Sequence, residues 1–182
     1  MRRVVCLLGL LLLTGAAASA QGNTKVDVFA GYSYLHTGPG VSSAAFNANG
    51  GVGSVAFNFN SWGSFVAEVG GVHASHIGGA DVDATAETFL FGPKVSLFRR
   101  SRLTPFAQVL FGFAHTNAAF NGTTGTNNGL AISGGAGLDW NLSHHLGIRL
   151  GQVDYLFNRV PTATSQVDWN NFRYSAGVVI RF

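Results

Sequence analysis

Charged side chains are scarce in this chain of 182 residues. Asp, Glu, Lys and Arg together make up 10% of it, against about 25% in typical soluble domains. Disordered chains combine low hydrophobicity with high net charge, and a hydrophobic share of 47% excludes that class. The 25 glycines have no period of three, which excludes a collagen helix. An ordinary cytosolic domain would carry more charge on its surface, so this composition fits one poorly.

The first 20 residues have the layout of a secretory signal peptide. Arg2 and Arg3 form a positive start, residues 4–13 form an apolar core, and Ala18-Ser19-Ala20 is a small-residue cleavage site. The core is shorter than the roughly 20 residues that a membrane-spanning helix needs. We therefore predict a signal peptide over residues 1–20 and a mature domain over residues 21–182, with an uncleaved signal anchor as the alternative.

Removal of this segment changes the charge and the cysteine count. Lys and Arg fall from 11 to 9 against 8 Asp and Glu, so the net charge falls from +3 to +1. Nothing in that balance predicts nucleic-acid binding. The single cysteine, Cys6, is also lost, which leaves neither a disulfide framework nor a thiolate site.

No apolar run of 18 residues follows residue 20, which excludes a transmembrane helix. Apolar residues instead alternate with polar or small ones, as in strands with two different faces. A phase slip in the seventh of these segments predicts a β-bulge near Gly151-Gln152. The alternation predicts eight strands, near residues 26–35, 50–60, 64–74, 86–98, 103–115, 130–142, 145–157 and 171–182.

The predicted connections alternate between tight turns and long loops. The turns fall at 60–63, 99–102 and 143–144, and the loops at 36–49, 75–83, 116–128 and 159–170. This arrangement, with an even strand number, is typical of bacterial outer-membrane barrels, whose turns and termini are periplasmic. Aromatic residues near both ends of the strands are expected to form the two interface girdles. A soluble barrel or β-sandwich is the alternative, but it would need more charge on its outside.

The signal peptide, the eight alternating strands and the terminal aromatic residue resemble the small OmpA-like outer-membrane β-barrel family. Gly134–Trp140, Arg149, Asp154-Tyr155 and Asn170–Arg173 look like the barrel domain of one branch of that family. The resemblance implies an all-β, eight-stranded, antiparallel, up-and-down transmembrane barrel without the peptidoglycan-binding domain. It also implies a C-terminal insertion signal, carried by Tyr174, Val178, Ile180 and Phe182.

The predicted inward-facing positions hold four acids and four bases. Because isolated buried charges are costly, we expect these side chains to pair with one another. The first interpretation is a structural plug; the second is a set of ion pairs that rearrange to gate a narrow pore, with Glu68, Lys94, Asp139 and Arg149 at mid-barrel. The full set is Asp27, Glu68, Lys94, Asp139, Arg149, Asp154, Arg173 and Arg181.

Two further features suggest weaker hypotheses. His73 and Ser75, with Glu87 on the neighbouring strand, could supply the base, nucleophile and orienting acid of a lipid A deacylase. The basic turn Arg99–Arg102 could touch anionic lipid head groups or simply be solvated. Two adjacent histidines, His144 and His145, are too few ligands for zinc.

We therefore expect an integral outer-membrane barrel with a structural or surface-interaction role, not an enzyme, and without a metal or cofactor. A narrow gated pore and a lipid A-modifying enzyme are the alternatives. The expected partners are outer-membrane lipid and lipopolysaccharide, the barrel-insertion machinery and periplasmic chaperones, and we expect a monomer that binds no nucleic acid.

Overall fold

A computed structural model describes residues 26–37, 46–77, 80–99, 101–120, 123–161 and 166–182. The predicted signal peptide lies outside these residues. The strands are β1 Val26–Thr37, β2 Phe46–Asn58, β3 Gly63–Ile77, β4 Ala80–Ser96, β5 Leu103–Phe120, β6 Thr123–Asn141, β7 Leu146–Pro161 and β8 Gln166–Arg181.

Each strand pairs antiparallel with the next, and β8 returns to pair with β1, which closes the barrel. Closure satisfies the backbone groups that an open sheet edge would expose to lipid. When the paired residues are followed from strand to strand around the barrel, the path begins at Val26 of β1 and returns to β1 at His36. The strands are therefore staggered by ten residues in total. No helix of the described ranges is long and apolar enough to cross a membrane. The predicted up-and-down topology is confirmed.

The outer wall of the barrel is apolar, as the alternation predicts. Phe89 and Val109 are 53% and 55% exposed, although a soluble protein would bury such side chains. The predicted aromatic positions lie at both ends of this wall. The turn-end positions are Phe59, Trp62, Phe98, Trp140 and Phe182, and the loop-end positions are Tyr34, Phe113, Tyr155 and Phe157.

The strands continue further toward the loop end than the sequence predicts. Residues 116–128 were expected to form a loop, but β5 runs to Phe120 and β6 begins at Thr123. Strands also include residues 36–37 and 46–49 of the first expected loop, 75–77 and 80–83 of the second, and 159–161 and 166–170 of the fourth. Hydrophobic alternation stops where the apolar wall stops, whereas polar residues continue the hairpin ladders beyond it. Side chains pair across these extensions, including His36 with Asn47 and Asn117 with Thr126, at 2.8 Å each.

The predicted bulge in β7 is confirmed. The register with β8 shifts between Arg149 and Gln152, and the β6 register shifts at the same place. The extra residue returns the later residues of β7 to their proper faces. Arg149 and Asp154 therefore both point into the lumen, where they are 2% and 0% exposed.

An apolar cluster occupies part of the lumen. It combines large side chains from β3, β4, β5 and β7 with small ones from β2, β5 and β6. Small residues are needed because eight strands enclose only enough space for side chains. The cluster consists of Ala56, Val66, Leu90, Leu110, Ala114, Ala131 and Leu156, with Leu35 packed against it.

Candidate functional site

The remaining lumen holds a network of charged and amide side chains. All eight charges that the sequence places on inward-facing positions lie inside, between 0% and 9% exposed. Six strands contribute them: β1, β3, β4 and β6 one each, and β7 and β8 two each. The eight are Asp27, Glu68, Lys94, Asp139, Arg149, Asp154, Arg173 and Arg181.

Arg149 makes three hydrogen bonds and contacts two aromatic rings. Its Nε donates to Asp139 Oδ1 at 2.8 Å and its Nη2 donates to Asp139 Oδ2 at 3.3 Å, so the pair is bidentate. Its Nη1 donates to Gln152 Oε1 at 2.6 Å. The rings of Phe29 and Phe106 lie 4.0 and 4.3 Å from the guanidinium carbon. Three donated bonds and two ring contacts therefore hold this side chain in position.

Gln152 connects this pair to a second group of charges. Its Nε2 donates to both carboxylate oxygens of Asp154, at 3.0 and 2.7 Å. Asp154 in turn accepts bonds from Arg173 Nε and Nη2, at 3.1 and 2.9 Å. Arg173 Nη2 also pairs with Glu68. One arginine thus lies between two carboxylates, and the bonds run without interruption from β6 to β3.

The turn end of the lumen is closed by a third group. Arg99, in the β4–β5 turn, donates to Asp27 Oδ2 at 2.5 Å, and Asn58 Nδ2 donates to Asp27 Oδ1 at 3.0 Å. Arg181 lies 4.0 Å from Asp27 and 3.8 Å from Asp139. These contacts tie the turn across the mouth of the barrel.

The sequence interpretation of Arg99 was therefore wrong. We expected the whole basic turn to lie at the surface, but the Arg99 side chain is 15% exposed and pairs with Asp27, which lies 72 residues earlier. Asn141 Nδ2 holds the turn in place by donating to Ser101 O at 2.6 Å and Thr104 Oγ1 at 3.0 Å. No local pattern signals this contact. The only hint is that Asp27 opens its strand at the same end of the barrel.

Lys94 does not belong to the ion pairs as we expected. In the described part of the chain no carboxylate oxygen lies within 4.0 Å of its Nζ, which instead lies 4.1 Å from the centre of the Phe106 ring. The expected group of Glu68, Lys94, Asp139 and Arg149 is thus divided. Asp139 pairs with Arg149, and Glu68 pairs with Arg173.

Two glycines of β6 make room for the network. A Cβ atom on Gly135 would collide with the Asp154 carboxylate and lie 2.7 Å from the Val153 carbonyl oxygen. A Cβ atom on Gly137 would approach the Phe106 ring to 2.5 Å. Both values are far below ordinary carbon contacts. These inward-facing positions therefore need glycine for close packing.

Two of the residues of the deacylase hypothesis, His73 and Glu87, lie exposed on the outer wall. His73 Nδ1 bonds to Thr85 Oγ1 at 3.2 Å, and Glu87 faces Gly71 across the β3–β4 ladder. The side chain of Ser75 lies outside the description. The residues that the structure describes contain no group of three or more His, Cys, Asp or Glu side chains able to hold a metal ion.

The residues of the expected insertion signal lie along the end of β8. Tyr174, Val178 and Ile180 face outward and are 43–46% exposed. Phe182 exchanges backbone hydrogen bonds with Val26, at 2.9 and 3.3 Å, at the seam where the barrel closes. The segment is therefore both apolar on its lipid-facing side and part of the closing ladder.

A closed eight-stranded barrel with an apolar exterior and a polar, packed interior defines a small transmembrane β-barrel. The family model of the outer membrane protein beta-barrel domain matches residues 6–182. The chain belongs to this family and is a bacterial outer-membrane protein. No curated protein sequence matches the chain.

Solved structures share this fold at low sequence identity. Neisserial surface protein A aligns with a TM-score of 0.67 and 12% identity, over 89% of this chain and 100% of its own. Ail, the attachment invasion locus protein of Yersinia pestis, aligns with a TM-score of 0.60 and 15% identity, over 86% and 97%. The N-terminal β-barrel domain of Pseudomonas aeruginosa OprF aligns with 0.54 and 14%, over 89% and 100%.

Proposed function

We propose that this protein is a non-conducting outer-membrane barrel that acts as a structural and surface-display element, neither a pore nor an enzyme. The observation that carries the proposal is the filled lumen. Arg149 and Arg173 are each bonded to carboxylates and buried at 2% exposure, and an apolar cluster around Leu110 packs in the lumen as well. An ion passing through would have to break buried ion pairs and cross apolar side chains, and both steps are costly.

The polar ends of the strands support the display part of the proposal. Beyond the apolar wall, β5 and β6 remain paired up to Phe120 and Thr123, with His115 and Asn128 bonded across the ladder at 2.5 Å. Such an extension carries the loops clear of the lipid. Loops held by a rigid scaffold are the usual place for contacts with partners.

The remaining expectations belong to the same proposal. A cleaved signal peptide over residues 1–20 would deliver the chain through periplasmic chaperones to the insertion machinery. That machinery would read Tyr174, Val178, Ile180 and Phe182. The termini would then be periplasmic, and the monomeric barrel would contact lipopolysaccharide through its loop-end surface. The outward exposure of Tyr174, Val178 and Ile180 supports the insertion step.

Planar-bilayer recording tests the proposal against the pore. We expect neither the wild type nor Arg149→Ala to give discrete conductance steps, because the apolar cluster remains in the variant. The control is Arg102→Ala, which changes an exposed arginine of the periplasmic turn. Steps that appear in Arg149→Ala alone would favour the gated pore, and steps in the wild type would refute the closed lumen.

A further inference from the structure

A small cavity lies in the lumen on the loop side of the ion pairs. It is lined by residues from six of the eight strands, all in the halves of those strands nearer the loops or at their middle. Its volume is about 40 Å³, and roughly 10–15 Å³ is needed to hold one water molecule. The cavity therefore has room for a group of about three heavy atoms.

The floor of this cavity carries hydrogen-bonding groups that the barrel itself leaves unused. Ser33 Oγ is buried, since the residue is 1% exposed, and has no hydrogen-bond partner. Arg173 also lines the cavity, and its bonds to Asp154 and Glu68 use Nε and Nη2 but not Nη1. Buried donors without partners are uncommon because each costs about 1–3 kcal/mol.

The walls have a different character from the floor. Leu35, Val72, Ala86, Ala114 and Leu156 surround the space with apolar atoms. Gly70 keeps the floor open, because a Cβ atom there would lie 2.9 Å from Thr88 Oγ1 and 3.3 Å from Arg173 Nη1. A few convergent polar groups in an apolar cleft are the usual arrangement of a small-molecule site.

The charge around the floor selects among ligands. Arg173 is already paired with two carboxylates, Glu68 and Asp154, so this buried group is formally negative by one unit. A carboxylate ligand would add a third negative charge in a poorly hydrated space. A cationic ligand would be repelled by the guanidinium group of Arg173, which lines the cavity. An uncharged oxygen acceptor matches the free donors without either cost.

We propose that this cavity binds the polar head of a small uncharged amphiphile, such as an amide or an alcohol. Its oxygen accepts hydrogen bonds from Arg173 Nη1 and Ser33 Oγ, and the polar group fits between Leu35, Val72 and Leu156. The rest of the apolar chain extends out of the cavity. Binding there does not require conduction through the barrel, because the ion pairs close the space beneath the cavity.

Two matched probes, butyramide and butyrate, test the proposal with the folded protein in lipid nanodiscs. We expect butyramide to shift the backbone amide resonances of Ser33 and Arg173 in a saturable manner, with butyrate at least tenfold weaker. Shifts that rise linearly and spread over lipid-facing residues would mean partition into the bilayer and would overturn the site. Butyrate binding as tightly as butyramide would overturn the charge argument and with it the proposed ligand class.

Three variants locate the binding. Ala86→Leu fills the cavity from its rim and should abolish the saturable shift, whereas Ala67→Leu, the same change on the exposed outer wall, should leave it intact. Ser33→Ala removes one hydroxyl without adding bulk and should weaken binding by roughly 2- to 10-fold. Folding of each variant is checked by heat-modifiable gel mobility. Undiminished binding in both Ala86→Leu and Ser33→Ala would refute the cavity as the site.

Discussion

Replacement of Arg149 by methionine should destabilise the barrel by about 4 kcal/mol. Methionine keeps much of the length of the side chain, but it removes three donated bonds and the contacts with the rings of Phe29 and Phe106. Asp139 then remains buried, and Arg181, at 3.8 Å, is the one ion-pair partner left to it among the described residues. Loss of one partner of a buried ion pair typically costs 3–5 kcal/mol, because the other charge stays uncompensated.

A double-mutant cycle separates this cause from simple loss of packing. In Arg149→Met/Asp139→Asn the stranded charge is gone, so the total loss should fall to about 2 kcal/mol. Urea unfolding in lipid vesicles, followed by the fluorescence of the three tryptophans, gives the free energies. Arg102→Met is the control and should be neutral, since that arginine is exposed in a turn.

Additive effects of the two substitutions would contradict this coupling. If the two single changes sum to the double change within about 0.5 kcal/mol, Arg149 and Asp139 are not coupled. A loss below about 1 kcal/mol for Arg149→Met would likewise be typical of a hydrated ion pair. Either outcome would mean that the lumen is wet, and the closed-barrel proposal would lose its basis.

Three other predictions follow from the packing. Gly135→Ala should lower the free energy of unfolding by about 2 kcal/mol, because the new methyl group meets the Asp154 carboxylate. Gly134→Ala is the control and should be neutral, since no atom lies within 4 Å of the added methyl group. Equal effects of the two changes in urea unfolding would contradict the close packing. Leu110→Ala should lower the free energy of unfolding by about 3 kcal/mol, since Leu110 is fully buried in the apolar cluster. An unchanged unfolding midpoint would show that the cluster is not tightly packed. Detergent-folded protein should migrate differently on a gel before and after boiling, and a single unchanged band would argue against the barrel.

The inward and outward faces of the strands could be predicted from the sequence because the surroundings of the two faces differ so strongly. Lipid outside and packed side chains inside impose opposite requirements on successive residues of a strand. Asp154 is an example. The slip in the alternation before Asp154 predicts a β-bulge, and the bulge turns the Asp154 side chain into the lumen. The same alternation between faces predicts that all eight charged side chains point into the lumen.

The pairing of those charges could not be predicted in the same way. Which acid meets which base depends on the stagger between strands, which sets their relative heights in the lumen. Arg173 thus reaches Glu68, 105 residues away, and Lys94 meets the ring of Phe106 and no acid. The contact of Arg99 with Asp27 depends on how one turn folds over the mouth, and no periodic pattern encodes that.

Solid-state NMR of the uniformly labelled protein in lipid bilayers tests the closed lumen most directly. A closed lumen predicts nitrogen–carbon cross-peaks from the Arg149 guanidinium to the Asp139 carboxyl carbon. It also predicts cross-peaks from the Arg173 guanidinium to the carboxyl carbons of both Asp154 and Glu68. Strong guanidinium–water cross-peaks without any carboxyl contact would show a hydrated, open lumen and would contradict it.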